Sequence, residues 1–186
     1  MIFRHFDTAL NAALLVWGFT MTFTLWAASL DWRLRKIPNW LNVSGFALGV
    51  GIRSAILGWH GALSSIEGAA LALAVLLPVV LLRGLGAGDW KLMGAIGALL
   101  GPAAMLVVLL VSVLLSGLMA ILTIAQAGRV FTTLRNMVEL VKGFFIFGWR
   151  GNPKFTIENP GLLKLPFGVA AALATILCFV ASRWTH

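Results

Sequence analysis

Very little in this chain can ionise. Of 186 residues, 6 are Asp or Glu, 14 are Lys or Arg, 3 are His, 1 is Cys and none is Tyr. Charged residues make up 11%, against about 25% in an ordinary soluble domain. A single cysteine excludes an intramolecular disulfide and a cysteine-based zinc site. Cys178 lies inside an apolar run and reads as a small buried or lipid-facing hydrophobe. His5, His60 and His186 are scattered and expected at an outer surface, so neither a histidine cluster nor a Ser, Cys or His nucleophilic arrangement is in view. No metal or other cofactor is expected. The chain also lacks a long polar stretch, which rules out a separate soluble catalytic domain beside the apolar bulk.

What remains is 60% hydrophobic, with a mean hydropathy of +0.97. That composition predicts an all-α, polytopic membrane protein with 1–186 as a single membrane-embedded domain. The uncharged stretches predict about six transmembrane helices, near 9–30, 40–58, 66–82, 90–107, 108–127 and 162–182. The first run is too long for the apolar part of a signal peptide and is followed by further spans, so it reads as a membrane anchor. From Leu92 to Ala127 no residue is charged. As one helix that stretch would be about 54 Å long, against a bilayer core of about 30 Å, so it must cross twice or fold back. Gly101-Pro102 offers the break and leaves its first half short.

The net charge of +8 could serve nucleic acid or an anionic membrane face. No basic stretch lies on a polar domain, so the partner it points to is membrane lipid, and no nucleic acid is expected. Arg33, Arg35 and Lys36 follow the first predicted span, Arg83 and Lys91 flank the third and fourth, and six more basic residues fill the segment before the last. Six crossings put all of these on one side and leave Arg4, Arg53 and Arg183 toward the other. The positive-inside rule then sets both termini outside and the charged loops in the cytoplasm. Trp32, Trp40, Trp59, Trp90 and Trp184 fall near span ends, as an aromatic belt requires. Within 128–161, Val130, Leu134, Met137, Val138, Val141 and Phe145 recur at helical spacing against a polar face, which predicts one cytoplasmic interfacial helix.

In so apolar a chain the carboxylates are informative. Asp7 and Glu67 fall on the predicted outer side, and Glu139 and Glu158 in the polar segment. Only Asp31 and Asp89 sit at inner membrane borders, 58 positions apart. The second and third spans form a hairpin between them, so both emerge at the same face. Acids at a membrane border are costly unless paired or hydrated, which marks them as functional candidates. Gly86 and Gly88 leave room for a tight turn or for the approach of another chain ahead of Asp89, and Pro38 suits the first turn of the second span. Two carboxylates sharing a site are driven to different protonation states. One can then take a proton from water while the other gives one to a scissile carbonyl, which is aspartyl proteolysis without a metal.

The segments DWRLRKIPN, from Asp31 to Asn39, and GAGDWKLMGAIGALLG, from Gly86 to Gly101, resemble the two signatures of the type IV prepilin peptidases. These are membrane aspartyl proteases of the GxGD kind, and LPFG, from Leu165 to Gly168, resembles a further segment of that family. The resemblance implies a bacterial inner-membrane enzyme that removes the short basic leader of a prepilin after a glycine at the cytoplasmic face. Asp31 and Asp89 would be the catalytic pair. Gly86, Gly88, Lys91, Pro166 and Gly168 are candidates to meet substrate, although orientation alone would account for Lys91, and Pro166 and Gly168 could instead shape the start of the last helix. The chain lacks the cytosolic insert with a cysteine tetrad found in larger members, so neither zinc nor N-methylation is implied. It is most similar to the short, peptidase-only branch that serves tight-adherence (Flp) pili. An archaeal preflagellin peptidase is a more distant likeness, and no Tyr-Asp pair of the presenilin kind precedes the GxGD.

Two readings from other classes stand beside this one: a small transporter whose paired acids relay protons or cations, and a non-catalytic subunit of a pilus or secretion machine. A transporter wants its acids near mid-bilayer, whereas both of these lie at inner helix ends. The oligomeric state and the particular prepilin are not legible in the sequence.

Overall fold

The computed structural model describes residues 2–81, 84–126, 128 and 167–184, with side chains from residue 12 onward. The described residues form helices and short connections. These are α1 (Ile2–Leu34), α2 (Asn39–Leu81), α3 (Ala87–Leu100), α4 (Pro102–Gln126) and α5 (Phe167–Trp184). Four of them, α1 from Ala12, α2, α4 and α5, are long and apolar enough to cross a membrane. Helix is the expected form, because in lipid every backbone N–H and C=O must be paired within its own segment. The predicted interfacial helix within 128–161, the beginning of the last predicted span and Pro166 lie outside the described residues.

α2 is not one rod. Gly58 takes φ 62 and ψ −142, which breaks the helix, and a residue without Cβ enters that region without strain. Beyond it the chain folds back. Ser65 Oγ donates to the Gly49 carbonyl at 3.2 Å and Arg53 Nη2 donates to Ser64 Oγ at 2.8 Å, although residues 16 apart in a straight helix would be separated by roughly 24 Å. The two antiparallel arms, 39–57 and 59–81, are the hairpin that the charge pattern predicts. The second arm starts earlier than expected, at 59 rather than 66: a single glycine makes the turn, so the polar residues that read as a loop are helical.

α3 has 14 residues, about 21 Å of helix, too short to span alone. Leu92 through Leu100 are buried without exception, so α3 is the centre of the bundle. It lies against both arms of α2, while α5 packs between α1 and α4. Lipid-facing helices gain little from apolar burial against one another, and close backbone packing takes over that role. Gly68 and Gly97 face each other so closely that a Cβ on either would overlap the other's carbonyl oxygen. The Gly101-Pro102 break falls where the sequence offers it: Gly101 has φ 77 and α4 starts at Pro102. The boundary expected at 107–108 thus moves to 101, giving a short α3 and a long α4.

The open C-terminal end of α3 is closed by a side chain that the charge pattern assigns only to an outer helix end. Arg53 Nη1 donates to the carbonyls of Leu100 at 3.0 Å and Leu99 at 3.4 Å. Those carbonyls belong to the last turn, which has no intrahelical donors, and the negative end of the helix dipole adds to the attraction.

Candidate active site

Asp31 lies in the last turn of α1 and is 6% exposed. Helix α1 ends three residues later, where Arg35 takes φ 49 and its N–H donates to the Asp31 carbonyl at 2.8 Å. That left-handed residue turns the chain into Ile37-Pro38, and α2 starts at Asn39 with Leu41 N–H donating to the Pro38 carbonyl at 3.2 Å. Proline thus stands just before the first turn of α2, where its fixed φ suits a helix start and its missing N–H costs nothing.

Asp89 is delivered by the turn ahead of α3. Gly86 is the N-cap, with φ −68 and ψ 144, and its carbonyl accepts from Trp90 N–H at 3.1 Å. Asp89 therefore stands in the first turn, where the macrodipole favours a negative side chain. A Cβ on Gly86 would lie 3.1 Å from Asp89 Oδ2, and one on Gly88 would lie 3.4 Å from the Ile37 carbonyl oxygen. The two glycines thus keep the carboxyl free of side chains on one side and let the turn sit against the IPN segment on the other.

These pieces meet in one cavity of about 700 Å³ at one end of the bundle, lined by both aspartates, Gly86, Gly88 and Phe167, among others. Arg35 and Lys36 stand on its wall as well, and α4 contributes Val113, Ser116 and Met119. Asp89 lies outside the four helices of spanning length. Burial, with Asp31 as a further cause, pushes its carboxyl up to about 7. Asp31 is held through one oxygen: the Gly168 N–H, in the first turn of α5, donates to its Oδ2 at 2.8 Å. Gly168 has no room for a side chain, since a Cβ there would stand 3.0 Å from both Asp31 Cβ and Oδ2.

Of the residues singled out in the sequence, Asp31, Asp89, Gly86 and Gly88 are brought to the cavity wall. Gly168 is brought to Asp31 itself. Lys91 is exposed and donates from Nζ to Asn39 Oδ1 at 3.0 Å, joining the GxGD segment to the IPN segment. Trp90 differs from the belt expectation: half-buried, it donates from Nε1 to the Leu73 carbonyl at 2.8 Å, one turn before the helix-interior Pro78. Asn42 was not singled out; it is buried and donates from Nδ2 to the Gly88 carbonyl at 3.2 Å. A buried asparagine in an apolar helix was the available signal.

Long apolar helices that converge two carboxylates on one cavity at a bundle end define a membrane protein with a built acid pair. The sequence profile of the type IV leader peptidase family matches residues 18–121, and the chain belongs to that family. The match takes in Asp31, both arms of α2, Asp89 and most of α4. It stops before α5, so the contact from Gly168 is contributed by the fold outside the matched region. No curated protein and no solved structure matches the chain significantly.

Proposed function

We propose that the chain is an aspartic-type endopeptidase that removes the basic leader of a prepilin, with Asp31 and Asp89 as its catalytic pair. The observation that carries this is the convergence of the two acids, 58 positions apart, on one cavity. Asp89, with its pKa near neutrality, holds the proton that the scissile carbonyl oxygen needs. Asp31 acts as the base toward a water, whose oxygen attacks the carbonyl carbon. The tetrahedral intermediate then collapses: the C–N bond breaks, the amine takes the proton that Asp31 received from the water, a hydroxyl of the intermediate returns its proton to Asp89, and the new carboxyl group and new N-terminus leave. Like charges held close favour this one-proton arrangement, and no metal enters any step.

The same reading takes the substrate to be a Flp-type prepilin cut after a glycine, and 1–186 to be one membrane-embedded domain. The arms of α2 are two crossings, α3 from Trp90 to the Gly101-Pro102 break is a short one, and α4, α1 and α5 are one each, which gives six, with both termini outside, Asp89 at the inner border and the cavity at the cytoplasmic face of a bacterial inner membrane. Eleven of the 14 Lys and Arg then lie on the cavity side, as the positive-inside rule asks. Purified protein mixed with a Flp-type prepilin in excess chelator should yield a shortened product starting at the residue after the leader glycine, read by mass spectrometry. No cleavage by folded protein, or cleavage only after added zinc, would contradict the proposal.

A further inference from the structure

Two asparagines in the first turn of α2 reach the first turn of α3. Asn42, 4% exposed, donates from Nδ2 to the Gly88 carbonyl at 3.2 Å, and Asn39 Oδ1 accepts from Lys91 Nζ at 3.0 Å. Asn39 and Asn42 stand three apart on one helix, as do Gly88 and Lys91 on the other, so each pair shares a face. Asp89 lies between the two anchored positions. On its other side the turn meets Ile37, whose carbonyl oxygen would be 3.4 Å from a Gly88 Cβ, so the turn is held from two directions.

Neither contact is needed to start α3, which the Trp90 N–H to Gly86 bond already does. Packing does not call for an amide at 42 either. Asn42 Oδ1 accepts from none of the described residues, and a buried acceptor without a donor destabilises the fold. An apolar residue of similar size would fill the place without that penalty. A buried amide whose one used atom fastens the turn beneath Asp89 has its purpose at the site.

We propose that Asn42, with Asn39 as a weaker second point, is a positioning residue for peptide cleavage: it locks the Gly86–Asp89 turn to α2 so that the Asp89 carboxyl stays beside Asp31. The inference rests on the aspartic reading of the pair. Asn39 counts for less because its partner is an exposed lysine, where water and salt compete.

The test uses purified full-length protein and a prepilin-type substrate, comparing wild type, Asp89→Asn, Asn42→Leu, Asn42→Ala and Asn39→Ala. Leucine keeps the number of side-chain heavy atoms, is bulkier, and removes both the donor and the orphaned oxygen; alanine cannot overpack. Each Asn42 variant should lose at least about tenfold in kcat with KM within about twofold, because displacement by a fraction of an ångström at the reacting groups is costly. The thermal midpoint of at least one of the two Asn42 variants should stay close to that of wild type, since the orphaned acceptor is gone in both. Asn39→Ala should lose less. A pH profile separates positioning from a lowered folded fraction. Among the described residues, the charges near Asp89 are Asp31 on α1, Arg35 and Lys36 after it, and Lys91 on α3, while the described parts of α2, α4 and α5 bring uncharged side chains to the cavity. With the lock cut, Asp89 gains water and distance from Asp31, so the alkaline limb should move down by about half a unit or more. A folded Asn42 variant with wild-type kcat and an unmoved limb overturns the proposal. No cleavage by wild type, or full cleavage by Asp89→Asn, instead overturns the aspartic reading beneath it.

Discussion

Replacing Gly168 by alanine tests whether the start of α5 sets the position of Asp31. The added methyl would stand 3.0 Å from Asp31 Cβ, 3.0 Å from Oδ2 and 3.3 Å from Cγ, while ordinary carbon contacts begin near about 3.5 Å. Either the first turn of α5 or the last turn of α1 must therefore yield by several tenths of an ångström. Both are helix backbone, and the same shift lengthens the 2.8 Å bond from Gly168 N–H to Oδ2. Overpacking a buried contact costs about 1–3 kcal/mol, and weakening a hydrogen bond to a charged acceptor costs about 1.5–3 kcal/mol. Because one movement relieves the first by spending the second, the two do not add, and about 2 kcal/mol is the expected loss of stability. Activity should suffer more, since a misplacement of about 1 Å can cost about a hundredfold. Gly168→Ala should lose about tenfold to a hundredfold in kcat, with KM little changed. Gly51→Ala serves as the matched control, because a Cβ there meets nothing within 4 Å. The assay is steady-state cleavage of a prepilin-type substrate, with thermal unfolding in detergent alongside. Wild-type kcat for Gly168→Ala at normal folded yield would refute the claim that α5 positions Asp31.

Four further outcomes follow. The Asp89 pKa of about 7, raised from 3.8 by burial first and by Asp31 second, requires cleavage to fall about tenfold per pH unit above neutrality; activity that keeps rising from pH 7 to 9 would contradict Asp89 as the proton donor. The native state holds that proton more tightly than the unfolded chain, so this group's stabilising effect is full below about pH 4 and is lost by about pH 7; the midpoint of wild type measured against Asp89→Asn should decline across that window and then level off. Gly97→Ala would drive a methyl into the Gly68 carbonyl and the adjoining Ala69 nitrogen, both backbone that cannot rotate away, so folded protein should fail to accumulate, and a normal yield with an unchanged midpoint would refute the close α2 to α3 contact. Cysteines introduced at 34 and 152 should be labelled by an impermeant reagent only from the cytoplasm and one at 62 only from outside; outer labelling at 34 would reverse the proposed orientation.

The parts of this fold that can be read along the chain are those where one residue type is rare. In a sequence with 6 carboxylates, an aspartate at a span border stands out, and the even number of crossings between Asp31 and Asp89 places both at one end without knowledge of packing. The fold-back of α2 and the break at Gly101-Pro102 follow from lengths and backbone chemistry. What the sequence hides are contacts between elements whose register no local pattern encodes. Gly168 reaches Asp31 across 137 positions, and Arg53 closes α3 across 47. Asn42 fastens Gly88 across 46. A glycine N–H, an arginine at a helix end and an asparagine among apolar neighbours each look ordinary until the opposing helix is in place. Trp90 shows the converse case: its position near a span border suits an aromatic belt, yet its indole N–H is used inside the bundle.

The central claim is that Asp31 and Asp89 act as one unit on the scissile peptide, and it is tested most directly by cleavage with Asp31→Asn, Asp89→Asn and the double variant. Asparagine keeps the size of each side chain and cannot take or give the proton. Each single variant should abolish prepilin cleavage while inserting at normal levels, and the double should be no worse than either, because groups that act together are strongly non-additive. Glu67→Gln, on an exposed face of α2, should cleave as wild type does. Robust cleavage by either single variant at a normal protein level would contradict the account and leave the carboxylate of GAGD with a structural role alone.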